Sequence, residues 1–147
     1  MTTEQNKAAA RRVYEAFNQA ISSGNMSLLD EVLAADGIDH NPAPGQAPGL
    51  AGVKQTFAQF RTAFPDLRLT VEDQTAEGDK VASRIVGRGT HKGAFQGIPP
   101  TGKQVKQEGI DIVRIAGEKV VERWGIFDNL GLLQQLGVVP GPGQSPN

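Results

Sequence analysis

The sequence predicts an α+β domain in which N-terminal helices pack in a curved, mainly antiparallel sheet, a cone-shaped α+β barrel enclosing a cavity. Three observations lead there. Up to Phe64 the apolar residues recur every three to four positions, as on one stripe of a helix, and from Leu67 they alternate, as on one face of a strand. The run from Gln104 to Asp128 then alternates so that much of both faces would be buried, and Asp111 interrupts one of its apolar series. A carboxylate in that position must be hydrogen-bonded, paired, or turned into a wet or ligand-filled cavity.

The elements follow in chain order. Thr2 or Thr3 can cap a first helix with Val13, Phe17 and Ile21 on one stripe, Tyr14 beside them and Gly24 as its stop. Asn25 is expected to cap a second, shorter helix that buries Met26, Leu29, Val32 and Leu33 and ends at Gly37. Ile38 to Asn41 leads into the stretch Pro42 to Gly49, where three prolines forbid regular structure and form a rim. A third helix repeats Val53, Phe57, Phe60 and Phe64 and is stopped by Pro65-Asp66. Leu67, Leu69 and Val71 alternate with polar residues as a half-buried strand, and Glu77-Gly78-Asp79 turns it into a second strand carrying Val81, Ser83, Ile85 and Gly87. A Gly- and Pro-rich loop from Gly89 to Gly102 precedes the closing hairpin. Its first strand places Val105, Gln107, Gly109, Asp111, Val113 and Ile115 on one face; its second places Val121, Arg123, Gly125 and Phe127 together. Asn129 to Leu136 is a short last helix, capped by Asp128 and stopped by Gly137.

Composition narrows the function classes. At 147 residues the chain suits one domain, residues 1–139, followed by a flexible Pro/Gly tail at 140–147. Lys and Arg number 15 against 16 Asp and Glu, without blocks, so nucleic acid and anionic membrane are not expected partners. The absence of cysteine removes disulfides, thiolate metal sites and cysteine nucleophiles. No secretory leader pattern opens the chain, and no apolar run reaches the roughly 20 residues that span a bilayer, so a cytoplasmic protein is expected. The Gly89–Gly102 loop lacks a phosphate-loop ending, and neither a nucleophile elbow nor metal-ligand spacing is present, so no cofactor and no metal are expected.

The candidate site residues each carry two readings. Asp111 is a cavity base whose pKa burial raises, or a strand aspartate paired with Arg123 or Arg84. Arg123 shares the inward parity and can pair with Asp111 inside the cone, where the pair would bind a ligand carboxylate or carbonyl oxygen. His91 is a general acid/base at the cavity mouth or a donor that fixes its loop. His40 and Asn41 line the opposite side, where an amide can polarise a carbonyl, or Asn41 anchors the turn before Pro42. Phe60 and Trp124 are substrate-contacting aromatics or core packing, and Tyr14 reads as core.

Three segments resemble a known family: the loop Gly89-Thr-His91-Lys-Gly93-Ala-Phe95-Gln-Gly97-Ile-Pro-Pro-Thr-Gly102, the strand Gly109-Ile-Asp111-Ile-Val-Arg114, and the ending Glu122-Arg-Trp124-Gly-Ile-Phe-Asp128 through Gly137. With Phe64-Pro65-Asp66-Leu67 and His40-Asn41-Pro42, they are similar to the SnoaL-like polyketide cyclases of the nuclear transport factor 2-like superfamily. The resemblance implies the cone fold and homo-oligomers, dimers or tetramers, packed through the outer sheet surface. It also implies cofactor-independent ring closure by intramolecular aldol condensation, with a strand histidine and a strand aspartate in the cavity. The histidine's position falls at Asp111 and the aspartate's at Gly125, while Asn41 and His91 match positions held in those cyclases. The resulting expectation is a cyclase or isomerase acting on a small, apolar carbonyl compound through Asp111 and His91, with Asn41, His40, Arg123, Trp124 and Phe60 contacting substrate. The alternatives are a ligand-binding relative without catalysis and a hydroxylase-like member.

Overall fold

A computed structural model describes residues 1–141 and 143; of the expected flexible tail only 140, 141 and 143 fall within it, and the rest lies outside the described residues. Helix α1 (Thr3–Ser23) begins with a capping box in which Thr2 and Gln5 satisfy each other's backbone N–H groups, and it ends at Gly24 in the left-handed conformation. A 3₁₀ turn (Met26–Glu31), strand β1 (Leu33–Asp39) and helix α2 (Gly49–Ala63) follow. Strands β2 (Arg68–Glu77), β3 (Lys80–Thr90), β4 (Gln104–Ala116) and β5 (Lys119–Phe127) make up the rest of the sheet, and α3 (Asn129–Leu136) closes the fold under the Asp128 cap.

The sheet runs in the order β1-β5-β4-β3-β2, antiparallel throughout except where β1 lies parallel to β5. Strand β1 corrects one expectation. Asn25 does cap a turn, but the turn is a short 3₁₀ segment, and Gly37 sits inside a strand rather than at a helix stop. The free edge of β5 explains the difference: the Val120 N–H bonds the Val32 carbonyl and the His40 N–H bonds the Arg123 carbonyl, so edge pairing overrides a local helical pattern.

A second correction concerns β5. Val120 lies opposite Ile115 and Glu122 opposite Arg114, so Val121 is the extra residue of a β-bulge. Val120, not Val121, faces the core, and from Arg123 onward the parity is the expected one. The outer face of the hairpin is also more open than its pattern suggested, with Ile110 55% and Ile126 75% exposed.

Against the inner face, α1 lays Val13, Tyr14 and Phe17 on Val81, Ile85 and Val113. A second cluster of Phe64, Val105, Leu132 and Leu136 joins the end of α2 to α3. The start of α2 is fixed by an approach that only glycine permits: a Cβ on Gly52 would lie 1.6 Å from the Ala47 carbonyl oxygen. Gly52→Ala should therefore lower stability by about 1–3 kcal/mol, read by denaturant unfolding; unchanged stability would show that the rim loop yields freely.

Candidate functional site

Between the inner sheet face, α1 and α2 lies a cavity of about 490 Å³. Its walls are mostly apolar, and their aromatic rings form a connected series. Phe17 and Phe57 stack with centroids 4.0 Å apart, Phe60 meets Phe57 edge-on at 5.2 Å, and Phe95 tilts against Phe60 at 6.3 Å. The α2 spacing that put Phe57 and Phe60 on one stripe thus supplies a wall of the cavity rather than a closed core. Exposed residues among the lining, including Pro42, Pro44, Gln96 and Asn129, mark the mouth at the rim loop and the start of α3.

One polar cluster interrupts this lining. Asp111, 6% exposed, accepts the Arg123 Nε–H at 3.0 Å on Oδ1, which also stands 2.8 Å from Arg123 Nη2 in the ion pair, and accepts the Tyr14 hydroxyl at 2.9 Å on Oδ2. Arg123 also donates from Nη1 to Asp39 Oδ1 at 2.9 Å and to the Asn41 carbonyl at 3.2 Å. Asp39 in turn accepts the Gln46 amide at 3.2 Å on Oδ2, and Gln46 accepts the Thr56 hydroxyl at 3.1 Å, so the cluster extends from α1 across the sheet to the rim loop and α2. Gly125 makes room for it. A Cβ there would stand 2.0 Å from Asp111 Oδ1 and 2.3 Å from Arg123 Nη2, so a side chain at this position and the bridge are incompatible.

Charge counting gives the cluster its chemistry. Two carboxylates, Asp39 and Asp111, share one guanidinium, which leaves one excess negative charge in a largely apolar enclosure. Desolvation pushes the Asp111 carboxyl above the ordinary aspartate range, against the pull of Arg123 and the Tyr14 hydroxyl, and Asp39 adds to the rise. Arg123 loses hydration as well, yet Asp111 and Asp39 hold its pKa above the ordinary value. Burial, and then the Asp111 charge, keep the Tyr14 phenol neutral with its pKa far above the usual one. The arrangement is a buried base beside a permanent cation and a neutral hydroxyl donor.

The expected residues divide on this geometry. Asp111, Arg123, Asn41 and Phe60 line the cavity. The two readings of Asp111 coexist, since it is both cavity-facing and paired with Arg123. That pairing occupies most of the guanidinium N–H groups and leaves little of Arg123 for a ligand carboxylate. Asn41 uses its side-chain oxygen to accept the Gly125 N–H at 2.9 Å, which locks the rim onto β5.

His40 and Trp124 correct the expectation. Both lie on the outer sheet face, because Glu122, Trp124 and Ile126 share the parity opposite to Arg123. Their rings stack with centroids 4.8 Å apart, while His40 bonds Glu122 at 2.7 Å. His91 is fully buried and outside the cavity lining; its Nδ1 accepts the Thr101 N–H at 3.2 Å, so it does hold its loop, but as an acceptor at this contact rather than the expected donor. Tyr14, Asp39 and Gln46 are the site residues that the sequence reading missed. Tyr14 stood on a helical stripe where aromatic residues are ordinarily core, and Asp39 depended on a strand that the local pattern did not reveal. Among the described residues, no group of three His, Cys, Asp or Glu side chains is placed to hold a metal ion.

Asp111 also has a signature in stability. Its folded-state pKa lies above the unfolded value of about 3.9, so its contribution to folding is complete below that value and is lost as pH rises through the folded-state one. Asp111→Asn should accordingly flatten the decline in stability above about pH 4, read by denaturant titrations at stepped pH; an unchanged profile would show that the carboxyl titrates as in the unfolded chain.

Comparison with known proteins agrees with this architecture. A family model for SnoaL-like polyketide cyclase matches residues 11–136. The chain is 27% identical over 129 residues to the aklanonic acid methyl ester cyclase DnrD of Streptomyces peucetius, covering 86% of this chain and 87% of that one. IdmH from Streptomyces antibioticus, a candidate polyketide cyclase, superimposes with a TM-score of 0.77 at 37% identity, over 90% of this chain and 99% of the other. AclR from Streptomyces galilaeus, a candidate hydroxylase, does so with a TM-score of 0.80 at 29% identity, over 95% and 89%. The family model spans most of the chain and the fold is shared with these relatives: the protein belongs to the SnoaL-like polyketide cyclase family.

Proposed function

We propose that the protein is a cofactor-independent cyclase or isomerase that moves a proton on a small, apolar carbonyl compound within the cavity. The observation that carries this reading is the buried Asp111 carboxylate, raised in pKa and facing an aromatic-walled enclosure with one excess negative charge. Asp111 takes the acidic proton from the carbon next to a carbonyl group, and the enolate formed attacks a second carbonyl carbon of the same molecule. One C–C bond forms, and the new alkoxide takes the proton back from Asp111, so no atom is gained or lost. Arg123 stays charged throughout and offsets the charge of the ionised carboxylate, while the Phe57, Phe60 and Phe95 rings pack against the apolar body of the substrate. Because the cluster already carries an excess negative charge, a neutral ester suits the cavity and a free carboxylate does not, in keeping with the ester named for DnrD.

Two other readings have specific support. A binding protein without turnover is favoured by Gly125, which offers no acid where the resemblance places one. A hydroxylase-like activity is favoured by AclR, and dependence on oxygen and a reductase would identify it. We further propose that a second copy covers the outer sheet face. Ile110, Ile112 and Ile126 are exposed there beside the half-buried Trp124, and charges of both signs surround them.

For catalysis, Asp111→Asn should reduce turnover of an aromatic polyketide methyl ester by about 10²- to 10⁴-fold; turnover equal to the parent protein would remove the assignment. For assembly, Ile112→Asp should convert an oligomer to monomer in native mass spectrometry, and a parent chain that is already monomeric would end that proposal.

A further inference from the structure

The cavity has a second polar end that the proton transfer above does not use. Along the inner face of β4 the residues run Gln107, Gly109, Asp111, and the two polar ones line the cavity. Gly109 lies opposite Phe127 of β5, and a Cβ on Gly109 would collide with the Phe127 ring, so that ring covers the strand between them. On the other flank Gln107 lies opposite Gly87 of β3, where no side chain stands beside its amide. Amide, ring and carboxyl thus follow one another along one wall.

Gln107 Nε2 donates to Asn129 Oδ1 at 2.9 Å, and Asn129, at the start of α3, lines the cavity as well. This bond is not needed to hold α3 to the sheet. Gln135 already does so, accepting the Lys106 N–H and donating to the Lys106 carbonyl, each at 2.7 Å. Among the described residues, the Gln107 amide oxygen and the Asn129 amide nitrogen have no hydrogen-bond partner. One accepts and the other donates, and exchanging oxygen and nitrogen in both amides leaves the same combination. A hydroxyl group satisfies both at once, whereas a carbonyl oxygen satisfies only the donor. A carboxylate is not matched at this end: Arg123 is the one basic residue among the described residues of the lining, and it is committed to Asp39 and Asp111.

We propose that Gln107 and Asn129 form a specificity-determining subsite for a neutral hydroxyl group at the end of the substrate remote from its reacting carbonyl. Four residues of strand separate Gln107 from Asp111, about 13 Å. A hydrogen bond at one end and a proton-transfer contact at the other take roughly 3 Å each, which leaves about 7 Å for the ligand, the span of two fused aromatic rings. The apolar body of the ligand then lies against the Phe127 ring. The subsite rests on the reading of Asp111 as the group that meets the carbonyl end, and its test separates the two.

The probes are 6-acetyl-2-naphthol and 2-acetylnaphthalene, which differ only in the hydroxyl, titrated calorimetrically into the intact protein. The naphthol should bind about 3- to 10-fold more tightly. Gln107→Leu, which keeps the volume and removes the amide, should abolish that preference while 2-acetylnaphthalene still binds. If Gln107→Leu does not fold, Asn129→Ala, at an exposed helix end, should reduce the preference in the same direction. Binding of neither probe, equal binding of both by the parent protein, or a preference that survives in the folded variants would overturn the inference and leave the amide pair a surface contact. A preference lost in Gln107→Leu together with wild-type turnover in Asp111→Asn would instead overturn the catalytic reading and leave the subsite in place.

Discussion

Arg123 between Asp39 and Asp111 is the interaction on which the rest of the site depends. Its three partners, counting the Asn41 carbonyl, come from β4, from β1 and from the start of the rim loop. Tyr14 brings in α1 through Asp111, and Gln46 brings in α2 through Asp39. A buried ion pair is rarely a net gain in stability against apolar packing of the same volume. Here one cation serves two anions, and burial keeps the Asp111 carboxyl more basic than usual against the pull of that cation. The same bridge dictates glycine at position 125, because a side chain would occupy the space that the bridge fills.

Much of the fold was legible because local signals and tertiary packing agreed. The Thr2 cap, the Gly24 stop, the phenylalanine spacing of α2 and the four long strands all appear where the sequence pattern places them. The part that was not legible depends on long-range pairing. Residues 33–39 contain Ala, Asp and Gly in a stretch with no strong strand preference, and they become β1 because β5 presents an edge to pair with. Asp39 was hidden with that strand. The interior position of Asp111 could be read from its alternation, whereas Tyr14 could not be separated from an ordinary core aromatic until its hydroxyl was seen on Oδ2.

His40 and His91 show the other side of this limit. Both have the side-chain chemistry of an acid/base group, and neither reaches the cavity. His40 is carried to the outer face by strand parity, where it joins Trp124 and the Glu122 carboxylate, which His40 and Arg114 hold below its ordinary pKa. His91 is taken into the second core cluster beside Phe64, where it ties the two ends of the 91–103 loop through Thr101. In both cases the residue type was suggestive, and the direction of the side chain decided the outcome.

The bulge at Val121 sets which lengths of β5 are compatible with the site. Val120 on the cavity floor and Arg123 in the bridge are separated by an odd number of positions, yet both face inward because the extra residue absorbs half a period. Loss of Val121 would therefore preserve both faces and straighten the strand. Loss of any residue between Arg123 and Phe127 would exchange the inside and outside of everything on one side of it. Within β5, a change of length at the bulge is the one that keeps both faces in place.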